Sequence, residues 1–274
     1  MTIIKFKNSI EIYRALAKSK DINEITGRSG RPDLTNFISS EMSKNIKIKK
    51  KSIVVDIGCG DGQFLIKSLN KFKVKFKGKL FGILPTLEEV NFLKKHLKMQ
   101  KKNSKLYRSF ISLKVGNYKN TKLPSSFCDI TVCNGVLNLA GTKKSDVINA
   151  LSEFNRITKK KGKLYIGELP DVNEFQSKDY DQSILLWLYW VIKNQGISFF
   201  FKSIKQVISA LITDEPFIIY PKNYLFYIKP RDFIKLVKTY GFKVQKYQKN
   251  LEIDVNGKKF FSKSRWNYIF IKES

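Results

Sequence analysis

Val54 to Gly62 reads VVDIGCGDG, an apolar run and an acid leading into a loop with glycine at every second position. Gly58, Gly60 and Gly62 supply positive φ or a bare Cα, so a nucleoside can lie directly against peptide. A pyrophosphate fingerprint needs a further glycine for helix packing and an acid about 20 residues downstream. The spacing here is G-x-G-x-G, with Asp56 at the strand end and Asp61 inside the loop. Neither acid helps a diphosphate, and both suit a ligand with a cationic amino group. Gln63 to Leu69 is apolar and helix-compatible, which completes a strand–loop–helix unit.

Other residue types narrow the chemistry further. His96 is the only histidine and sits in KKHLKMQ, on a lysine-rich helical stretch, so it reads as a surface residue. No acids stand at metal-ligand spacing. Cys59, Cys128 and Cys133 form no C-x-x-C pair and fall in predicted strands or the loop, which predicts reduced thiols. The charge is strongly positive: 52 Lys plus Arg against 23 Asp plus Glu, a net +29. Such an excess points to an anionic partner or to lysines scattered over a solvated surface. At 42% apolar and 13% aromatic, the chain has ample material for a core, which excludes overall disorder.

The elements that must position these residues follow from periodicity. Helices are expected over 9–18 and 34–45, separated by the loop GRSGRPD from Gly27 to Asp33. Strands are expected at 53–57, 79–83, 111–115, 129–133 and 164–166, with helices at 87–97 and 144–158. Gly162 is expected to cap the second of these helices. A helix over 230–240 then leads to two late strands, 242–247 and 265–272, with no helix between them. Strands alternating with helices imply right-handed crossovers and a mostly parallel sheet.

In this order the chain resembles the class I S-adenosylmethionine-dependent methyltransferases. The glycine loop resembles their first motif, and LPSSFCDITVCNGVLNLAG their fourth-strand region. ALSEFNRITKKKGKLYIGE and KPRDFIKLVKTYGFKV match the later helix–strand pairs. The resemblance covers about 35–170 and 222–274. It implies a doubly wound α/β/α sandwich, with a seven-stranded, mostly parallel sheet, an antiparallel last strand and a helical insertion. It also implies S-adenosylmethionine as cofactor. By similarity Asp56, Gly58, Cys59, Gly60 and Gly62 line the methionine and ribose portion, with Cys59 read as a small residue in a tight loop. Asp61 either touches the ligand or caps the next helix.

The second strand departs from the family, which places an acid at its end to grip the ribose hydroxyls. Leu84 stands there, followed by Pro85, and Glu88, one turn on, either reaches inward or shares a helix N-terminus with Glu89. Gly116 and Asn117 end the third strand, where the Asn carbonyl would accept from the adenine amine. Tyr118 and Leu137 either pack on adenine or belong to the core. Asn134 falls where the family borders the transferred methyl. Its setting, NGVL, argues against DNA adenine or protein glutamine methylation. Glu168 and Asp171 follow the fifth strand, where one of them would be a general base or both would be caps and surface charge. Arg28 and Arg31 either clamp an anionic group or belong to the loop surface.

Residues 1–50 are expected as an N-terminal helical cap, and 51–274 as the methyltransferase domain. Within it, 173–221 would form a lid, a membrane-surface element or a packed subdomain and interface. Met1 to Lys20 lacks an apolar signal core, and Ile184 to Ile192 is too short to span a bilayer, so a cytoplasmic enzyme is expected. Its acceptor is expected to be small or medium-sized, a sugar, a cell-surface glycan precursor or a secondary metabolite, with a phosphate-bearing one giving the positive charge a purpose. RNA methylation and a non-catalytic binding module stand as alternatives, and the oligomeric state is left open.

Overall fold

The computed structural model describes residues 31–72, 75–99, 104–140, 144–174, 184–212, 226–254 and 256–273. The helix expected over 9–18, and Arg28, lie outside the described residues. The chain begins with α1 (Pro32–Ile46), β1 (Ile53–Ile57), α2 (Gln63–Phe72), β2 (Lys79–Leu84) and α3 (Leu87–Met99). Next come α4 (Ser104–Phe110), β3 (Ile111–Val115), β4 (Cys128–Asn134), α5 (Lys144–Ile157) and β5 (Thr158–Pro170). The remainder is α6 (Ile184–Gln195), α7 (Ile197–Ile212), α8 (Pro230–Thr239), β6 (Phe242–Ile253) and β7 (Lys259–Lys272).

The strands form one seven-stranded sheet in the order β3-β2-β1-β4-β5-β7-β6. β1 to β5 run parallel, and β7 enters antiparallel between β5 and β6. Adjacent residues of β1 show why helices must cover both faces. Val54 joins one buried cluster with Met42, Leu65, Leu93 and Val132, contributed by α1, α2, α3 and β4. Val55 and Ile57 join the other with Leu151, Phe154, Phe233 and Phe270, from α5, α8 and β7. Residues one apart on a strand point to opposite faces, so a run apolar at every position is buried on both sides.

Three boundaries differ from the sequence expectation. β5 starts directly where α5 ends, so Gly162 lies inside a strand rather than at a helix cap. β6 and β7 extend toward each other well past the expected ends and pair from Phe242–Lys272 to Ile253–Lys259. α4 and a 3₁₀ turn, Leu137–Ala140, were not anticipated. Lysines at the start of β5, and polar residues at the end of β6 and the start of β7, interrupt the hydrophobic alternation there.

Candidate active site

At the carboxyl ends of β1 to β4 the loops surround a cleft of about 990 Å³, its open mouth included. This is where ligands enter open α/β sheets, because the loops diverge beside the strand ends. Asp56, Gly58, Cys59, Gly60, Leu84, Gly116, Asn117 and Asn134, all expected from the sequence, line it together. Gly62 does not line it; its N–H donates to the Cys59 carbonyl (2.9 Å), closing the turn ahead of α2. Gly58 has φ +72, and a Cβ there would overlap the Val136 side chain, so only glycine fits.

The two acids divide their work. Asp61 accepts from the Gln63 N–H (3.1 Å) at the start of α2, the expected cap, and it also lines the cleft. Asp56 is buried, and burial together with the nearby Asp61 charge pushes its pKa up to about 8. A buried carboxyl in that state is poised to ionise when a cationic group arrives. Cys59 is packed against Gly82, and burial pushes its thiol pKa well up, in keeping with a small structural residue.

Leu84 is buried in the cleft wall, and the acid beyond it is Glu89 rather than the exposed Glu88. The Glu89 Oε2 accepts from the Thr86 N–H (3.1 Å) and hydroxyl (2.7 Å), while the Glu89 N–H donates to Thr86 Oγ1. This reciprocal capping box starts α3 and fixes a carboxyl at the cleft. Burial raises its pKa to about 7, against the lowering effect of the Thr86 bonds.

Asn117 lines the cleft, but its Oδ1 accepts from the N–H groups of Lys119 and Asn120. An adenine amine would have to share that oxygen. Tyr118 lines the cleft beside it, whereas Leu137 is core and Leu139 faces the cleft instead. Behind this loop Glu153 accepts from the Thr121 N–H and hydroxyl and pairs with Arg156 (2.7 Å).

Asn134 ends β4 with its Oδ1 buried and unbonded. A Cβ on Gly167 of β5 would occupy the same space, so glycine there keeps the amide in place. The adjoining Glu168 is buried with φ +59, at a register shift between Ile166 and Leu169. Left-handed backbone at a non-glycine residue is costly and tends to mark functional positions. Glu168 and Asp171 do not line the cleft. The Glu168 carboxylate lies 3.6 Å from Arg265 of β7, and the Asp171 carboxylate accepts from the Asn173 N–H (3.0 Å). Arg31 is likewise engaged, pairing with Asp33 and donating to the Ile253 and Asp254 carbonyls.

α1 completes the cleft, a contribution that its sequence alone does not signal. Thr35, Ile38, Ser39 and Met42 close one side of the cleft, and the buried Thr35 Oγ1 has no partner among the described residues. Their spacing by three and four was visible, but only the fold shows what that stripe faces. Among the described residues no acid–histidine–cysteine cluster could hold a metal.

A doubly wound sheet, a G-x-G-x-G loop without the pyrophosphate spacing and an acid-lined cleft define the class I S-adenosylmethionine-dependent methyltransferase fold. The family model described as a methyltransferase domain matches residues 31–210, and the chain belongs to that family. Solved structures agree in fold. An S-adenosylmethionine-dependent methyltransferase from Methanosarcina mazei is 14% identical with a TM-score of 0.55, over 82% of this chain and 94% of that one. Geranyl diphosphate methyltransferase in complex with S-adenosylmethionine is 11% identical with a TM-score of 0.52, over 94% of each chain. The [4+2]-cyclase SpnF is 9% identical with a TM-score of 0.61, over 97% of this chain and 96% of that one. No curated protein matches the chain in sequence. S-adenosylmethionine is the cofactor of this fold, and the residues present fit it: bare backbone at Gly58, a carboxyl ready to ionise at Asp56, and unbonded oxygens on Thr35 and Asn134.

Proposed function

We propose that the chain transfers a methyl group from S-adenosylmethionine to a small or medium-sized acceptor, such as a sugar, a cell-surface glycan precursor or a secondary metabolite. The observation that carries this reading is the unbonded Asn134 Oδ1, in the same cleft as the glycine loop and Asp56. The donor supplies an already activated methyl on its sulfonium, so the protein must bind, align and exclude water. Asp56 and Asp61 favour the cationic amino group, and the glycine loop admits close approach. Glu89 stands in for the missing acid at Leu84 as the partner of the ribose hydroxyls. α1 shields the cleft from solvent with Ile38 and Met42. Asn134 offers an acceptor oxygen to the incoming substrate, and Glu168 or Asp171 takes a hydroxyl proton once the acceptor brings it within reach.

Isothermal titration with S-adenosylhomocysteine tests the reading. Micromolar binding, abolished by Gly60→Arg, is the expected result, and glycan and metabolite acceptors would then be screened by methyl transfer. An acceptor KM that rises with salt would mark a phosphorylated substrate. Absence of binding at millimolar ligand would favour a non-catalytic module. The SpnF neighbour shows that this fold also carries other chemistry.

RNA methylation has one feature in its favour. Lys47, Lys49, Lys51, Lys159, Lys160, Lys161 and Lys163 line a second, basic cleft. These residues precede β1 or begin β5, so that cleft lies at the amino ends of the strands, opposite Asn134. RNA held there would not present a base to the donor, which leaves the small-acceptor reading ahead.

A further inference from the structure

α6 and α7 pack against each other, joined at Gly196, and none of their described residues lines the donor cleft. Each carries an exposed apolar stripe at helical spacing. On α6 it is Leu185, Tyr189 and Ile192, with Leu185 77% exposed. On α7 it is Ile197, Phe201, Ile208 and Ile212, with Phe201 63% and Ile212 79% exposed. Residues three, four and seven apart share one face of a helix, so each set forms a continuous strip. Val191 and Ser203 are buried on other faces, which orients both helices with these stripes outward. Exposed apolar strips on two neighbouring helices are features of a docking surface.

The charge pattern selects the occupant. Exposed Lys193, Lys202 and Lys205 accompany the stripes, and neither helix contains an Asp or Glu. Two copies of such a face would repel each other, which disfavours a homodimer through it. An anionic bilayer offers apolar depth for Leu, Ile and Phe and negative charge for Lys at its surface. No helix among the described residues is long and apolar enough to cross a membrane, so the pair would lie in the interface rather than span it.

We propose that the α6–α7 hairpin docks the protein on anionic membrane surfaces through Leu185, Tyr189, Phe201 and Ile212, with Lys193, Lys202 and Lys205 contacting lipid headgroups. This inference does not depend on methyl transfer, because its readout is lipid binding. The test is vesicle co-sedimentation of the full chain, using phosphatidylcholine alone and with about a third phosphatidylglycerol. Three variants accompany it: Leu185→Glu with Phe201→Glu, Lys202→Glu with Lys205→Glu, and Lys159→Glu with Lys161→Glu in the basic cleft. All substituted side chains except Lys159 are exposed, and circular dichroism checks that each variant is folded. The expected result is at least about tenfold stronger partition into anionic vesicles, reduced about tenfold by either hairpin variant and much less by the basic-cleft variant. No preference for anionic vesicles overturns the proposal. So does loss confined to the basic-cleft variant, or light scattering showing a dimer that only Leu185→Glu with Phe201→Glu dissolves.

Discussion

At the residue scale, Asp56 is where ligand binding and stability pull in opposite directions. Its pKa of about 8 in the fold lies above the ordinary carboxylate value, so the folded state holds a proton that the unfolded chain releases. Stability contributed by this group therefore falls as pH rises from the unfolded value of 3.8 toward 8. Asp56→Asn should raise stability at pH 8 by about 2 kcal/mol, read by thermal or urea unfolding. The same variant should weaken S-adenosylhomocysteine binding at least about tenfold. In the wild type, binding at pH 7 should release a proton. Calorimetry in two buffers of different ionisation enthalpy detects that release, and it should vanish in the variant. Thr35→Val tests a quieter position: removing an unbonded buried hydroxyl should leave stability unchanged or slightly higher while weakening ligand binding about two- to tenfold.

Much of this site was legible in the sequence because the glycine loop compresses its signal into nine residues. Asp56, Gly58 and Gly60 need only local spacing to be recognised. Spacing from the strand end favours Glu88 as the inward acid, but Glu88 is exposed, and the turn at Pro85 and Thr86 carries Glu89 to the cleft instead. Thr35 and Met42 stand apart from the loop in sequence and carry no chemical signature, so their role depends on how α1 packs.

At the element scale, the segment from Gly116 to Leu123 illustrates how a cleft wall is held by a helix behind it. Glu153 of α5 accepts both Thr121 donors and is gripped by Arg156. Burial opposes ionisation of Glu153, but the Arg156 and Thr121 bonds outweigh it and hold its pKa below the ordinary value. Its stabilisation is thus present above pH 4.5 and is lost as pH falls through the lowered pKa. Glu153→Ala should destabilise the protein by about 2 kcal/mol at pH 7, seen in urea unfolding. It should also loosen nucleoside binding, because Asn117 and Tyr118 lose their support. The long β5 and β6 were under-read for a related reason. Exposed lysines at the start of β5 and half-buried residues in the second half of β6 break the alternation that signals a strand, while the backbone pairing continues.

At the scale of the whole molecule, the charge is not evenly spent. Seven lysines gather at the amino ends of the strands, while the carboxyl ends hold Asp56, Asp61 and Glu89. The protein therefore presents a positive pole at the amino ends of the strands, opposite an acid-lined mouth.

β6 forms one edge of the sheet. Twelve residues long, it would offer a template on which another copy of the chain could polymerise. Exposed Lys243 and Lys246 are spaced along it, and Arg31 ties down the carbonyls at its far end. These cations act as guards against fibril growth. Lys243→Thr with Lys246→Thr should leave the fold intact yet produce concentration-dependent aggregates in analytical ultracentrifugation. On that edge, part of the lysine excess serves to keep the protein in solution.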